Sequence, residues 1–306
     1  MEISFDFLRR SISTDYDVLF LQKTWIFTFP CVLAAKIRGK KVVMDMDDLD
    51  SFWQHNRIKT VLTMLGEKVM PYFADALTTH NKYLMSYLES RFKRPLFLLP
   101  QGVETGLFDP AHFNREEEKK RLGLTDKTVL CFLGSFTVGS ARDLDAIIKA
   151  FSEVSREIDE AVLMIIGGGG PLEEAYLKMI EDMNIKSKTI VTGHMDQENI
   201  PGYLSACDYG LIFMRNDLAN QVRVSLKLRE YLSMDLTVIG HVVGSSKDDL
   251  GKQCFLCEEN VTDFAETIRK VIKYKLKHNT THEFVNNKYD WNSFLPHVKN
   301  FLNTIH

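Results

Sequence analysis

The stretch TVLCFLGSFTVGSARDLDAIIKAFSEVSREIDEAVLMIIG, residues 128–167, decides the fold. It opens and closes with continuous apolar runs, 128–134 and 161–167, which are typical of strands that are buried on both faces. Between them, ARDLDAIIKAFSEVSREI places apolar residues at helical spacing. Two strands joined by a helix lie parallel in one sheet, so the stretch predicts a doubly wound α/β fold.

The same alternation of apolar runs and amphipathic segments extends in both directions. Further strand candidates are 17–22, 41–46, 76–80, 96–100, 188–193, 209–214 and 236–241. Around residues 100–125 the apolar period is lost in a turn-rich, charged segment, after which a new series begins. The sequence therefore predicts two α/β domains, 1–112 and 113–289, followed by an amphipathic helix over 290–306.

Composition excludes several classes of protein. The chain has 306 residues, 45% apolar and 26% charged, which excludes disorder, collagen-like repeats and a disulfide scaffold. The net charge of −3 gives no reason to expect a nucleic-acid partner. The longest apolar stretch, 25–35, is interrupted by Pro30 and falls short of the ~20 residues that span a bilayer. No basic segment precedes it, so we expect no signal peptide and a cytoplasmic location.

The five cysteines do not form a recognisable metal or redox motif. Cys254 and Cys257 have C-x-x-C spacing, but no second pair stands at zinc-finger distance and their surroundings are apolar. We interpret them as buried strand residues, and Cys131 and Cys207 as small core residues.

Two glycine-rich strand-to-helix junctions could hold a ligand. In LGSFTVGSARDL, Gly134, Ser135 and Arg142 combine flexible backbone amides with a positive charge, which suits a phosphate, although a plain glycine turn explains them as well. In MIIGGGGPLEEAY, four glycines form a tight turn that lets a ligand approach the backbone.

A third junction, FMRNDLANQVRVSLKLREYLSMDLTVIGH (213–241), carries the most chemistry. Lys227 and Arg223 flank a helix start, which suits a diphosphate, and Glu230 one turn deeper can accept hydrogen bonds from a ribose diol. The alternative is a solvated helix face with an internal Lys–Glu pair.

Within this junction, SLKLREYLSMDLTVIG resembles the S-x-K-L-x-E-Y-L-A-x-G-x-P-V-I-A signature of retaining GT-B glycosyltransferases of the group-1 (family 4) type. LLPQGVETGLF, LMIIGGGGPLEEAY and TIVTGH resemble further motifs of that family in the same order, so the resemblance covers residues 76–306. It implies two Rossmann-like, doubly wound parallel-sheet domains facing a cleft, with a shortened N-terminal domain. It also implies that the helix over 290–306, which begins near Trp291, returns to the N-terminal domain.

The resemblance further implies the roles of individual residues. The residues implied to bind the donor are Gly134, Ser135, Arg142, Gly169, His194, Asp217, Asn220, Ser225, Leu226 and Glu230, with Glu230 on the ribose. Those implied to act in catalysis are Lys227 and Arg223, facing the departing diphosphate, and Asp47 and Asp48, lining the acceptor side. The chain departs from the family pattern at Val222, where a glutamate is usual, and at Ser135, where an arginine is usual.

The implied reaction moves a sugar from a UDP- or GDP-sugar to a hydroxyl of a glycan or lipid-linked glycan, with retention of configuration. The nucleotide sugar is a substrate, and the resemblance implies neither a cofactor nor a bound metal; we rank capping and site lining above metal binding for Asp45, Asp47 and Asp48. The alternative is a catalytically impaired nucleotide-sugar-binding subunit that needs a partner protein. Homo- and hetero-oligomers both remain open.

Residues 53–73 combine apolar side chains with Arg57, Lys59 and Lys68. This pattern is typical of a helix that lies on an anionic membrane, and equally of a core helix with one wet face. Membrane association through this segment is therefore one of two expectations.

Overall fold

The computed structural model describes residues 2–54, 56–278 and 281–305. Residues 1, 55, 279, 280 and 306 lie outside these described ranges, although they fall within the predicted domains and segments. Contacts divide the chain into two compact units, and the predicted domain limits themselves stay a prediction. Unit 1 comprises the residues up to Gln101, Gln221–Val224 and those from Phe294 onward; unit 2 comprises Gly102–Asn220 and Ser225–Ser293.

The strands and helices follow one another in βα order. The strands are β1 Val18–Gln22, β2 Lys41–Met46, β3 Ala76–Thr79, β4 Leu96–Leu98, β5 Thr128–Leu133, β6 Ala161–Ile166, β7 Thr189–Val191, β8 Tyr209–Phe213, β9 Thr237–His241 and β10 Cys254–Leu256. The helices are α1 Glu2–Ser13, α2 Phe29–Ile37, α3 Arg57–Val69, α4 Lys82–Glu89, α5 Arg115–Arg121, α6 Val138–Ala141, α7 Leu144–Val154, α8 Glu173–Asp182, α9 Ile200–Ser205, α10 Leu218–Gln221, α11 Leu226–Ser233, α12 Gly244–Leu250, α13 Val261–Lys273, α14 Thr281–Tyr289 and α15 Trp291–Ile305.

Unit 1 is built on a parallel sheet in the order β1–β2–β3–β4. Five of the six residues of β2 are buried, because helices cover both faces of the sheet. On one face Met44 packs with Leu84 and Leu88 of α4. On the other, Phe301 of α15 lies against Phe97 of the β4 strand, with ring centroids 4.4 Å apart. The predicted C-terminal amphipathic helix is confirmed.

Unit 2 is built on a six-stranded parallel sheet in the order β10–β9–β8–β5–β6–β7. On one face α7 and α13 bury Ile147, Phe151, Phe264 and Ile268 in a single core. On the other, α11 places Tyr231 so that its hydroxyl accepts a hydrogen bond from the Leu133 N–H at 2.6 Å. Helices on both faces of a parallel sheet confirm the predicted doubly wound α/β fold.

Cys254 and Cys257 lie in and next to β10, and both are buried. Burial raises the pKa of each thiol to about 12, so neither is a thiolate at neutral pH. The interpretation as a buried strand residue is confirmed for Cys254, whereas Cys257 is buried just after the end of the strand. Among the helices that the structure describes, none has the length and apolar character to cross a bilayer.

Candidate functional site

The sheet of unit 2 has a topological switch point between β5 and β8, where the strand order reverses. In open parallel sheets a ligand binds beside such a point, outside the carboxyl ends of the strands. The segments that follow β5, β6 and β8 carry Gly134, Ser135, Arg142, Gly169, Asp217 and Asn220. The fold therefore gathers these predicted donor-binding residues at the edge where a ligand is expected.

The turns after β5 and β6 are in direct contact, and glycine is required at both. Gly134 and Gly167 have φ angles of +152° and +128°, which side chains rarely allow. A Cβ on Gly167 would lie 2.4 Å from the Gly134 carbonyl oxygen, and a Cβ on Gly134 would lie 3.3 Å from Lys227 Nζ. At Gly169, by contrast, nothing lies within 4 Å of the added atom. The turns after β5 and β6, which have glycine at 134 and 167, therefore lie close to each other and to Lys227.

Lys227 and Glu230 stand one turn apart on α11. The Lys227 ammonium donates to the Ser140 carbonyl at 2.7 Å and lies 4.1 Å from the centre of the Phe132 ring. Burial raises the pKa of Glu230 to about 7, and the nearby Lys227 charge opposes this rise only in part. A perturbed carboxyl beside a held cation at the ligand edge is typical of a binding site.

The segment after β8 is held by charged side chains from the start of α7 and the turn before it. Arg142 pairs with Asp217 at 2.6 Å, so the structure brings these two predicted residues together. Arg215 pairs with Asp143 at 2.6 Å and with Asp145 at 2.8 Å. Asn220 is fully buried, and its amide donates to Asp143 at 3.1 Å and to the Arg215 carbonyl at 2.8 Å. In this structure the Asn220 side chain therefore supports the segment.

The remaining predicted donor-binding residues lie at the margins of this edge. Ser225 is buried and immediately precedes α11, and Leu226, the first residue of the helix, is exposed. The half-buried Ser135 has its hydroxyl 3.4 Å from that of Thr137. His194 is exposed in the segment after β7. Their roles stay predictions.

In unit 1, polar side chains also collect at the carboxyl edge of the sheet. Lys23 follows β1 and pairs with Asp47 at 2.7 Å and with Asp50 at 3.0 Å. Its φ angle of +79° is unusual for a lysine, and such outliers concentrate at functional positions. The sequence interpretation missed Lys23, although it directly follows the predicted strand 17–22.

Asp48 has hydrogen-bond partners other than Lys23. Its two oxygens accept hydrogen bonds from the Leu49 N–H at 2.9 Å and from the Trp53 indole at 2.8 Å. Burial raises the pKa of Asp48 to about 7, while the charge of Arg223 opposes the rise. The Arg223 guanidinium lies 5.3 Å from the centre of the Trp53 ring, so the structure brings Arg223 and Asp48 together within unit 1.

Arg223 reaches unit 1 because its neighbour is part of that core. Val222 is buried in the apolar cluster of unit 1, and its carbonyl accepts a hydrogen bond from the Asn81 amide at 2.5 Å. Val222, which stands where the family usually has a glutamate, therefore has a packing role.

At this edge Asp47 and Asp50 share Lys23, whereas Asp48 accepts hydrogen bonds from the Leu49 N–H and the Trp53 indole. Within residues 2–54, 56–278 and 281–305, no three His, Cys, Asp or Glu side chains are grouped so that they could hold a metal ion.

Comparison with known proteins identifies a family domain in unit 2. Residues 127–274 match the model of the glycosyl transferases group 1. This segment is therefore a group 1 glycosyltransferase domain. The "GDP-mannose-dependent alpha-(1-6)-phosphatidylinositol monomannoside mannosyltransferase" of Mycolicibacterium smegmatis is 26% identical over 179 residues, covering 58% of this chain and 45% of the relative. The protein of the same name from Mycobacterium tuberculosis H37Rv is 29% identical over 153 residues, covering 49% of this chain and 37% of the relative.

Solved structures confirm the fold of the chain. HepE from Anabaena in complex with UDP-glucose gives a TM-score of 0.80 at 14% identity, covering 99% of this chain and 82% of that one. Sucrose-phosphate synthase from Thermosynechococcus elongatus gives 0.76 at 14% identity, covering 99% and 77%. The fold is GT-B, as predicted. The chain spans less than half the length of the mannosyltransferases that it matches.

Proposed function

We propose that this chain is a group 1 glycosyltransferase that moves a sugar from a UDP- or GDP-sugar to a hydroxyl of a glycan or lipid-linked glycan, with retention of configuration and without a metal. The observation that carries the proposal is the convergence of Gly134, Gly167 and Lys227 at the switch point of unit 2, one helical turn from Glu230. Bare amides and an ammonium suit a diphosphate, and a carboxylate one turn deeper suits a ribose diol.

The chemical demand of the reaction is the negative charge on the departing diphosphate. Lys227 and the amides at the start of α11, around Ser225 and Leu226, would stabilise that charge. Gly134 and Ser135 would offer further amides from the turn after β5. Arg142, held by Asp217, would add a positive charge beside them. Gly169, His194, Asp217 and Asn220 are the groups proposed to surround the sugar.

Unit 1 would supply the acceptor side. Asp47 is paired with Lys23 at 2.7 Å, and its carboxylate would accept hydrogen bonds from the acceptor. Asp48 has a pKa raised to about 7, which lets it exchange a proton at neutral pH. We assign Asp48 to the acceptor hydroxyl. Arg223 keeps the role that the resemblance implies for it, which is to stabilise the departing diphosphate.

The names of the relatives suggest which substrates to test first. The mycobacterial relatives are described as GDP-mannose-dependent and as acting on a phosphatidylinositol mannoside. HepE was solved with UDP-glucose. GDP-mannose and UDP-glucose are therefore the first donors, and a lipid-anchored glycan is the first acceptor.

The outer surface of α3 supports contact with a membrane. The side chains of this helix that are buried are small or polar, namely Thr63, Gly66 and Glu67. Those exposed are largely apolar: Ile58 (71%), Val61 (63%), Leu62, Met64 and Leu65, with Arg57, Lys59 and Lys68 among them. A core helix with a wet face would show the reverse arrangement. We propose that this apolar, basic face lies on an anionic membrane surface, where a lipid-linked acceptor would be found.

Vesicle flotation tests the membrane contact. We expect the chain to float with vesicles containing anionic lipid and to float less with neutral ones. Leu62→Glu should reduce flotation. Leu177→Glu, at a similarly exposed leucine of unit 2, should leave it unchanged. Equal flotation of both variants and the parent chain would remove α3 as the contact.

Donor binding and turnover test the reaction. We expect calorimetry to detect binding of GDP-mannose or UDP-glucose, and release of the nucleoside diphosphate to require acceptor and to persist in EDTA. Lys227→Met should weaken donor binding at least tenfold, because the site loses a charge aimed at the diphosphate. Lys186→Met, at an exposed lysine paired with Glu181, is the matched control.

Three outcomes test the proposed reaction against its alternatives. Failure of every donor to bind would overturn the proposal. Donor binding without turnover would instead favour the impaired subunit that needs a partner. Inversion at the anomeric carbon of the product would overturn retention alone.

A further inference from the structure

His80 directly follows β3 at the carboxyl edge of the unit 1 sheet, and both of its ring nitrogens face oxygen atoms. Nδ1 lies 2.7 Å from the carbonyl oxygen of Leu99, and Nε2 lies 3.1 Å from Oδ2 of Asp45. A carbonyl oxygen can only accept, so Nδ1 carries a hydrogen. In a neutral ring, Nε2 would then turn a lone pair toward the Asp45 carboxylate.

The surroundings of Asp45 make that neutral arrangement costly. Asp45 is 3% exposed, and its other oxygen accepts a hydrogen bond from the Thr78 hydroxyl at 2.5 Å. A buried carboxylate that faces a lone pair is left without a donor on that side, whereas an imidazolium satisfies it with a charged hydrogen bond. The geometry therefore favours a His80–Asp45 pair that holds one proton more than a neutral imidazole beside a carboxylate.

The carboxylates near His80 also favour its protonated form. Burial lowers the pKa of His80, but Asp45 of β2, the Leu99 carbonyl after β4 and the charge of Asp47 raise it, and the net shift is upward from 6.5. Thr78 of β3 contributes a neutral hydroxyl.

The pair is connected to the predicted acceptor side through the backbone. The Asp45 carbonyl accepts a hydrogen bond from the Lys23 N–H at 3.1 Å, at the residue with the unusual φ angle. The Lys23 ammonium in turn pairs with Asp47 at 2.7 Å. Asp45 thus anchors the start of the segment that carries Asp47 and Asp48.

We infer that His80, in its doubly protonated form, is a positioning residue for sugar transfer: it fixes Asp45 and through it the segment bearing Asp47 and Asp48. The coupling to transfer rests on the proposed function, whereas the extra proton on the pair does not. No sequence motif assigned a role to His80, because its partners are Asp45 on β2 and Leu99 just after β4.

Asp45→Asn is the sharpest test, since it removes the need for the proton and keeps the shape. The introduced amide can donate to Nε2 of a neutral His80, while its carbonyl oxygen still accepts from Thr78. His80→Gln is the matched disruption, because one amide donor cannot serve both Leu99 and Asp45.

Three quantities are measured from pH 6 to 9: the NMR titration of His80, the unfolding equilibrium constant in denaturant, and kcat at saturating donor. A raised folded-state pKa gives stability that is complete below 6.5 and is lost as the pH rises through that pKa. We expect the unfolding constant of the parent chain to rise across that interval by up to about tenfold per pH unit, the limit for one proton, beyond its rise in Asp45→Asn.

Relative to Asp45→Asn, we expect kcat of the parent chain at saturating donor to fall over the same interval, while the two chains share the same donor Kd at each pH. His80→Gln should have a lowered kcat at every pH with donor Kd unchanged. A His80 that titrates at or below 6.5, or an Asp45→Asn variant that keeps the parent pH dependence of unfolding, overturns the extra proton. A changed unfolding profile with an unchanged kcat profile overturns the positioning role. Absence of donor binding overturns the proposed function and with it the coupling, while the NMR and unfolding measurements still decide the protonation of the pair.

Discussion

Glu230→Gln is the perturbation that tests the donor site most directly. Glu230 is proposed to accept hydrogen bonds from the donor ribose, and burial raises its pKa from 4.5 to about 7. A shift of that size corresponds to at most about 3 kcal/mol of disfavoured ionisation in the chain without donor. Ribose hydroxyls donate to the ionised form, so binding the donor must offset part of that cost.

The magnitude follows from the ionised fraction. With a pKa of about 7, roughly one tenth of Glu230 is ionised at pH 6 and roughly nine tenths at pH 8. If the ionised form binds the donor about tenfold better than the protonated form, the donor association constant of the parent chain should rise about fivefold between these pH values. In Glu230→Gln it should stay flat and remain near the pH 6 value of the parent, because an amide resembles the protonated acid.

Isothermal titration calorimetry with the donor that binds best gives both constants, and denaturant unfolding shows whether the variant is folded. The parent chain should exceed the variant by about tenfold at pH 8 and converge with it at pH 6. Equal affinity of the parent chain at the two pH values would refute the ribose role. A Gln variant that keeps the parent pH dependence would show that another group titrates.

Three further predictions concern the turns, the core of unit 1 and the acceptor side. Gly167→Ala should destabilise the chain by about 2–4 kcal/mol in denaturant unfolding, because its Cβ would meet a backbone oxygen at 2.4 Å, whereas Gly169→Ala, with open space around it, should cost about 1 kcal/mol. Asn81→Asp keeps the N-cap oxygen of α4 but loses the donor to the Val222 carbonyl, so we expect a loss of at least about 1–3 kcal/mol; an unchanged midpoint would contradict this. Asp48→Asn should abolish the fall of kcat below about pH 7 that we expect of the parent chain at saturating donor, and an intact acid limb would exclude Asp48 as the proton-exchanging group.

Much of the fold could be predicted because parallel strands carry a strong local signal. Nine apolar runs correspond to β1–β9 to within two residues at either end. β10 was not among the strand candidates, although the C-F-L-C run was read as strand residues. It has only three residues, Cys254–Leu256, and it lies at the edge of its sheet.

The candidate site was predicted unevenly for a related reason. Gly134, Lys227 and Glu230 stand in motifs with fixed spacing, so their positions at the carboxyl edge of unit 2 follow from the strand order. Lys23 and His80 have meaning only through partners on other strands, 24 and 35 residues away along the chain. Such contacts depend on sheet register, which sequence patterns constrain only to a residue or two.

The direction in which α3 faces could not be predicted either. Its apolar and basic residues allowed both a buried and an exposed stripe, and spacing alone does not say which stripe meets the core. The choice is made by Gly66, where a Cβ would fall 2.0 Å from the Thr24 carbonyl oxygen, so the chain after β1 passes directly over the helix there. That close approach turns the small-residue stripe inward.

The burial of the cysteines has a practical consequence for solution studies. All five are free and buried, and burial raises the pKa of Cys31, Cys131, Cys254 and Cys257. The folded chain therefore offers maleimide and iodoacetamide reagents no exposed thiol with which to react. A cysteine engineered on the exposed side of α3 would be labelled against a silent background, so that a dye at this helix could report vesicle contact without first deleting any natural cysteine.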